Sequence, residues 1–202
     1  RAFSRSVMGR LHEIGTEPHA ESRRGNLTIE YFHASKYGNG ARVAEEFKKQ
    51  MAGKGVAVNV HHVRDAKPKE MPPADLYLFS SPGRMGKPIG DMHRFLKEAR
   101  LPSGTRYAIL TTELAPRPDK NGRMPGEEEL GRCQRIIPAM NQILQGRGLV
   151  KVAQGKILVT GFKGPLEEGW QKKVEAFASQ IPASPDAPAE ESLAKSPVMS
   201  LA

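Results

Sequence analysis

Cysteine is nearly absent: Cys133 is the only one among 202 residues. No intrachain disulfide can form, and no zinc or iron–sulfur site can be built on cysteines. The lone thiol fits a reducing compartment, and a cytoplasmic protein is the expectation. Long apolar runs are absent too. None approaches the ~18–20 residues of a membrane helix, so no membrane span is expected. Aromatic residues make up only 6%, and none falls within 82–87 or 112–130. The six histidines (His12, His19, His33, His61, His62 and His93) show no metal-ligand spacing. His61 and His62 adjoin on a predicted strand and so point to opposite faces. Acidic charge is short against basic, 22 residues against 31, and the whole excess of +9 lies between 27 and 181. A basic body suggests an anionic partner: a phosphate-bearing ligand, an acidic protein or nucleic acid. No RNP pattern, helix-turn-helix or aromatic–basic interleaving is present, so nucleic acid is not the expected partner.

The length fits one domain with appendages, large enough to bury a core without metals or disulfides. Residues 1–26 show little periodicity and read as a partly disordered extension or tag. Residues 182–202 are rich in Pro, Ala and Ser and read as a disordered tail. The domain proper is expected over 27–181. There, strand and helix signals alternate. Strands are predicted at 27–33, 56–63, 75–81, 106–112 and 156–162. The helices fall at 41–53, 88–99, about 130–146 and from 170 to 181, with Pro88 in a first helical turn. The run 75–81 is apolar almost throughout, as in a strand buried on both faces. This alternation predicts an α/β fold with a parallel sheet and helices on both faces.

Ligands of such sheets bind beyond the carboxyl ends of the strands, where the strand order reverses. The loops after the strands therefore carry the candidate site. The first holds Ser35, Lys36, Tyr37, Gly38, Asn39 and Gly40. Its glycines allow a tight turn and close approach of an anion, and the helix N-terminus behind it favours a phosphate. Ser35 and Asn39 add side-chain donors, and Lys36 adds charge. The second loop holds Ser81, Pro82, Gly83, Arg84, Met85 and Gly86. The third begins at Thr112 and Glu113 and runs to 129, long for a connection of its kind. Other sites are less well supported. Ser80 and Ser81 lack a G-x-S-x-G elbow. Cys133 has no placed histidine partner and reads as a small buried residue. Trp170 shares a helical spacing with Val174 and Phe177 and reads as core. Arg84, Lys87, Arg94, Lys97 and Arg100 form either a solvated helix face or a docking patch.

The stretches S-K-Y-G-N-G-x-x-x-A at 35–44, S-P-G-R-M-G-K-P-I at 81–89 and G-F-K-G-P-L-E-E-G-W at 161–170 resemble the flavodoxin family. The likeness spans about 27–181. It implies a doubly wound five-stranded parallel sheet in the order 2-1-3-4-5, with FMN at the switch point between the first and third strands. It also implies that 35–40 hold the FMN phosphate, while 81–86 and 112–117 flank the flavin ring. Gly40 stands where the family carries Thr, Met85 is the only large apolar side chain offered by 82–87, and the body is basic where flavodoxins are acidic. The resemblance implies electron transfer with a redox protein partner, which the basic body predicts to have an acidic docking surface. A second expectation is a flavin-dependent oxidoreductase acting on a quinone, or resembling protoporphyrinogen oxidases, with the 113–129 loop shaping its pocket. A third is a flavin-free relative used as a binding module. The electron carrier is favoured over the dedicated enzyme, and no catalytic residue is assigned.

Overall fold

The computed structural model describes residues 27–84, 86–161 and 163–184, without the side chains of Arg84, Arg132 and Cys133. The expectations for 1–26, for Met85 and for the tail beyond 184 lie outside the described residues.

Five runs rich in β-branched and aromatic residues form one parallel sheet. Its strands are β1 (Thr28–His33), β2 (Ala57–His62), β3 (Leu76–Ser80), β6 (Arg106–Leu114) and β7 (Val150–Val159). The order is β2-β1-β3-β6-β7, which is 2-1-3-4-5 when only this sheet's strands are counted. The chain therefore changes direction across the sheet between β1 and β3. A separate two-stranded hairpin, β4 (Gly83–Arg84) and β5 (Lys87–Pro88), is antiparallel.

Between the strands lie α1 (Asn39–Ala52), α2 (Gly90–Glu98), α3 (Glu127–Cys133), α4 (Ile136–Gln145) and α5 (Trp170–Ser179). In α1 the spacing of Val43, Ala44, Phe47 and Met51 makes one apolar stripe, and all four are fully buried. Two hydrophobic clusters divide the core. One joins α1 and α5 to Ile29, Tyr31, Leu78, Ala108 and Leu110. The other joins α2 and α4 to Phe32, Phe79, Tyr107 and Ile109. Alternate residues of a strand thus enter different clusters, as the period of two requires. Burying a side chain such as Phe47 contributes about 1.5–3 kcal/mol.

Four elements differ from the sequence expectation. Pro88 lies in the hairpin, and α2 starts at Gly90 behind Ile89, whose N–H donates to Ser81 Oγ at 3.2 Å. The helix expected over 130–146 is two helices. Pro138 has no N–H to donate within a continuous helix, so α4 restarts at Ile136 and places Pro138 in its first turn. Ahead of the break, the Glu129 carboxylate accepts the Gly126 N–H at 2.9 Å and starts α3. The last strand starts at Val150 rather than 156. It is an edge strand, and its exposed lysines and glutamine hide the alternation. The fourth strand of the sheet runs two residues further than expected, to Leu114, which puts Glu113 on the sheet itself.

Candidate functional site at the carboxyl edge of the sheet

Backbone bonds draw the three candidate loops together where β1, β3 and β6 end. The Ala34 N–H donates to Ser80 O at 2.9 Å, and the Thr112 N–H donates to Ser81 O at 3.2 Å. Pro82 extends the ladder beside Thr112. Ser35–Gly40, Ser81–Gly83 and Thr112–Glu113 therefore border one another on one edge.

The first loop ends in a left-handed turn. Gly38 precedes α1 with φ of 83°, and no atom lies within 4 Å of where its Cβ would stand. The turn is thus open where a side chain would stand, and it precedes a 14-residue helix whose first N–H groups have no intrahelical acceptor. Ser35 Oγ accepts the Gly40 N–H at 3.1 Å. A Cβ on Gly40 would come within 3.2 Å of Ser35 Cβ, so a threonine there would press on this loop. Lys36 and Tyr37 are exposed, with the ammonium 5.4 Å from the Tyr37 ring centroid. The Asn39 side chain, expected to face a ligand, donates instead to Lys163 O at 3.1 Å. That bond ties the loop after β7 to the start of α1.

The second loop is the hairpin rather than an irregular turn. Ser81 is buried and holds the hairpin's base, donating to Pro82 O at 3.0 Å. The third element buries Thr112 and Glu113. The Thr111 hydroxyl donates to Glu113 Oε1 at 3.0 Å, while Oε2 has no partner. Burial pushes the Glu113 carboxyl above its ordinary range, against smaller downward pulls from the Thr111 hydroxyl and the Lys156 charge. Arg117 turns to the last loop and donates to Thr160 O at 3.1 Å.

Sequence reasoning missed two histidines here. His33 ends β1 and His62 ends β2, directly across the ladder. Their rings stand edge-on at 5.1 Å. His33 is 7% exposed and its Nδ1 has no partner. Burial above all, then the neighbouring His62, lowers its pKa to about 4, with Asp65 opposing, so the ring is neutral near pH 7. The available signal was position: both residues close strands at the carboxyl edge of the sheet. His61 faces the other way. It pairs with the buried Glu30 and stacks on Phe32 at 5.0 Å. Among the described residues no cluster of three or more His, Cys, Asp and Glu is arranged to hold a metal.

No family model and no curated protein matches the sequence. Solved structures do match in fold. A flavodoxin from the domain Archaea superposes with a TM-score of 0.55 at 17% identity, covering 75% of this chain and 94% of its own. Flavodoxin 2 from Bacillus cereus gives 0.57 at 19% identity, covering 76% and 96%. The rubredoxin oxygen:oxidoreductase of Desulfovibrio gigas gives 0.55 at 11% identity. That match covers 76% of this chain but 35% of the larger protein. The chain has a flavodoxin-like fold.

Proposed function

We propose that residues 27–181 form an FMN-binding electron-transfer domain, with helices on both sheet faces as the two hydrophobic clusters support. The observation that carries this reading is the open left-handed turn at Gly38. It stands before α1, beside the point where the strand order reverses. In this reading Ser35–Gly40 hold the phosphate through backbone N–H groups and the α1 dipole, and Lys36 adds charge. Ser81–Gly86 and Thr112–Glu113 border the flavin ring.

The residues present fit such a ligand. The turn leaves space where a Cβ would stand, and His33 Nδ1 and Glu113 Oε2 are buried at this edge without partners. Bound FMN supplies one- and two-electron redox chemistry, and the protein orients and tunes it. Tyr37, 39% exposed on the first loop, is the aromatic side chain nearest in sequence to the turn, with the Lys36 ammonium over its ring. The partner is a redox protein with an acidic docking surface. It meets a body that carries the whole net charge of +9, including exposed Lys87, Arg94, Lys97 and Arg100. A cytoplasmic setting goes with this reading. Among the described residues no helix is long and apolar enough to cross a membrane.

Purified protein titrated with FMN and with riboflavin tests the proposal. FMN should bind at least tenfold more tightly and shift the visible flavin spectrum. Equal binding of the two, or none, would overturn it. Glu113 favours a second reading, a flavin-dependent oxidoreductase, because a buried carboxyl with a raised pKa can hold a proton at the ring. Steady turnover of a quinone by the FMN-loaded protein, lost in Glu113→Gln, would select that reading. Single-turnover reduction without turnover would select the carrier.

A further inference from the structure

The loop after β7 joins the first and third loops into one rim. The Asn39 side chain donates to Lys163 O at 3.1 Å, and Arg117 donates to Thr160 O at 3.1 Å. The Ala115 N–H adds a bond to Val159 O at 2.8 Å, and Leu114 lies directly opposite Val159 in the ladder. The start of α1, the last loop and the base of the third loop are therefore neighbours at the carboxyl edge.

This rim is both apolar and basic. The described residues expose four large hydrophobic side chains, Tyr37, Leu114, Met124 and Val150. Val150 opens β7, at the other end of the sheet, and Met124 precedes the acidic start of α3 at Glu127–Glu129. Tyr37, 39% exposed, and Leu114, 47% exposed, remain, and both belong to the rim. Cations accompany them. Residues 35–40, 114–123 and 160–165 hold Lys36, Arg117, Lys120, Arg123 and Lys163 against a single carboxylate, Asp119. That carboxylate is occupied: its Oδ1 accepts the Asn121 and Arg123 N–H groups at 2.8 and 3.0 Å, and its Oδ2 pairs with Arg123 at 3.5 Å.

The basic surface on α2 is different. There Arg94, Lys97 and Arg100 are interspersed with Asp91 and Glu98, and Asp91 already binds Arg64 at 2.6 Å. No large hydrophobic side chain is exposed beside them among the described residues. Protein interfaces have an apolar centre, enriched in aromatic residues and ringed by polar groups, and charges on the ring steer a partner of opposite sign into register. The rim has both parts, and α2 has one.

We propose that Lys36, Tyr37, Leu114, Arg117, Lys120 and Lys163 form a docking surface, and that its occupant is an acidic redox protein with an apolar spot among its carboxylates. The proposal rests on the electron-transfer reading above and goes beyond it. It places the contact on the rim beside the Gly38 turn, and it leaves the α2 cations to long-range steering.

A small acidic iron–sulfur ferredoxin serves as the probe. Added to isotope-labelled, FMN-loaded protein, it should shift the amide signals of Lys36, Tyr37, Leu114, Lys120 and Lys163. Shifts clustered on Gly90–Glu98 instead, or none with ferredoxin in excess, would overturn the proposal. Two double variants give a second test. Lys120→Glu with Lys163→Glu, and Arg94→Glu with Lys97→Glu, change the net charge equally. Electron exchange with ferredoxin at low ionic strength should slow about tenfold or more in the rim pair and less than about threefold in the α2 pair. Equal losses would mean that net charge alone attracts the partner and would overturn the assigned surface. Leu114→Ser should weaken ferredoxin binding about fivefold or more, and unchanged binding would refute the apolar centre. A DNA oligonucleotide that shifts the rim amides more strongly than ferredoxin would also overturn the proposal, in favour of nucleic acid. Titration with FMN beforehand keeps the two readings apart. A protein that does not bind FMN fails the electron-transfer reading and this proposal with it, whereas one that binds FMN and meets ferredoxin elsewhere fails this proposal alone.

Discussion

Replacing Gly38 by valine separates two effects that meet at one backbone position. Gly38 sits at φ of 83°, where a β-branched residue is an outlier. Holding an L-residue there costs about 1–2 kcal/mol. For a domain of this size, that corresponds to a fall in Tm of about 2–8 °C. No protein atom lies within 4 Å of the added Cβ, so no steric clash adds to this figure. The open space is itself the proposed phosphate cradle, and the valine methyls would occupy it. FMN affinity should fall at least tenfold, or about 1.4 kcal/mol and more. Asparagine provides the control, because it tolerates the left-handed region far better while still filling the space. Gly38→Asn should therefore lose much less Tm than Gly38→Val yet show a similar loss of FMN affinity. Thermal melts and flavin-fluorescence titrations give both numbers. A Gly38→Val protein with wild-type affinity would refute the reasoning. So would affinity that simply tracks Tm across the pair.

Three further outcomes follow from other contacts. Because the folded-state pKa of Glu113 is raised, its ionisation opposes folding. Stability is highest below the unfolded carboxylate pKa near 4.3 and declines as pH rises through the folded value. Glu113→Gln should melt higher than wild type at pH 7 and show a smaller difference at pH 4, and a pH-independent difference would count against a buried titrating carboxyl. A Cβ on Gly83 would stand 2.1 Å from Ile136 Cδ1, so Gly83→Ala should lose about 1–3 kcal/mol in denaturant melts. Ile136→Val, which removes that methyl, should recover part of this loss in the double variant, and strict additivity would mean that the hairpin moves aside instead. Electron exchange with an acidic redox protein should slow as ionic strength rises from about 0.01 M to 0.15 M, where the Debye length shrinks from about 30 to 8 Å. A flat profile would remove the basic surface from docking.

Much of the sheet was legible because buried parallel strands such as Leu76–Ser80 carry their environment in unbroken apolar runs. Val150–Lys156 was not, since an edge strand exposes alternate positions and reads as polar. Pro138 was visible in the sequence, but a single proline marks either a kink or a restart, and packing decides which. The candidate loops were found by their place after strands, and backbone bonds bring the three together. The direction of Asn39 was not legible. Its partner lies 124 residues away, and no local rule encodes a bond of that span. The histidine pair escaped for a related reason. His33 and His62 meet only through strand register.

The bond from Asn39 to the carbonyl of Lys163 also orders events in time. A chain made from its N-terminus has residues 35–40 early, but the backbone that anchors Asn39 is among the last of the domain to appear. Lys54 shares this delay, since its ammonium donates to Ala178 O at 2.8 Å, across the same interval of sequence. The first helix is therefore clasped at both ends by segments that follow β7. Contacts of such separation form late and slow folding. Before residue 163 has emerged, the Asn39 side chain lacks the carbonyl that anchors it. The start of α1 is therefore fixed only once the segment that follows the last strand of the sheet has been made.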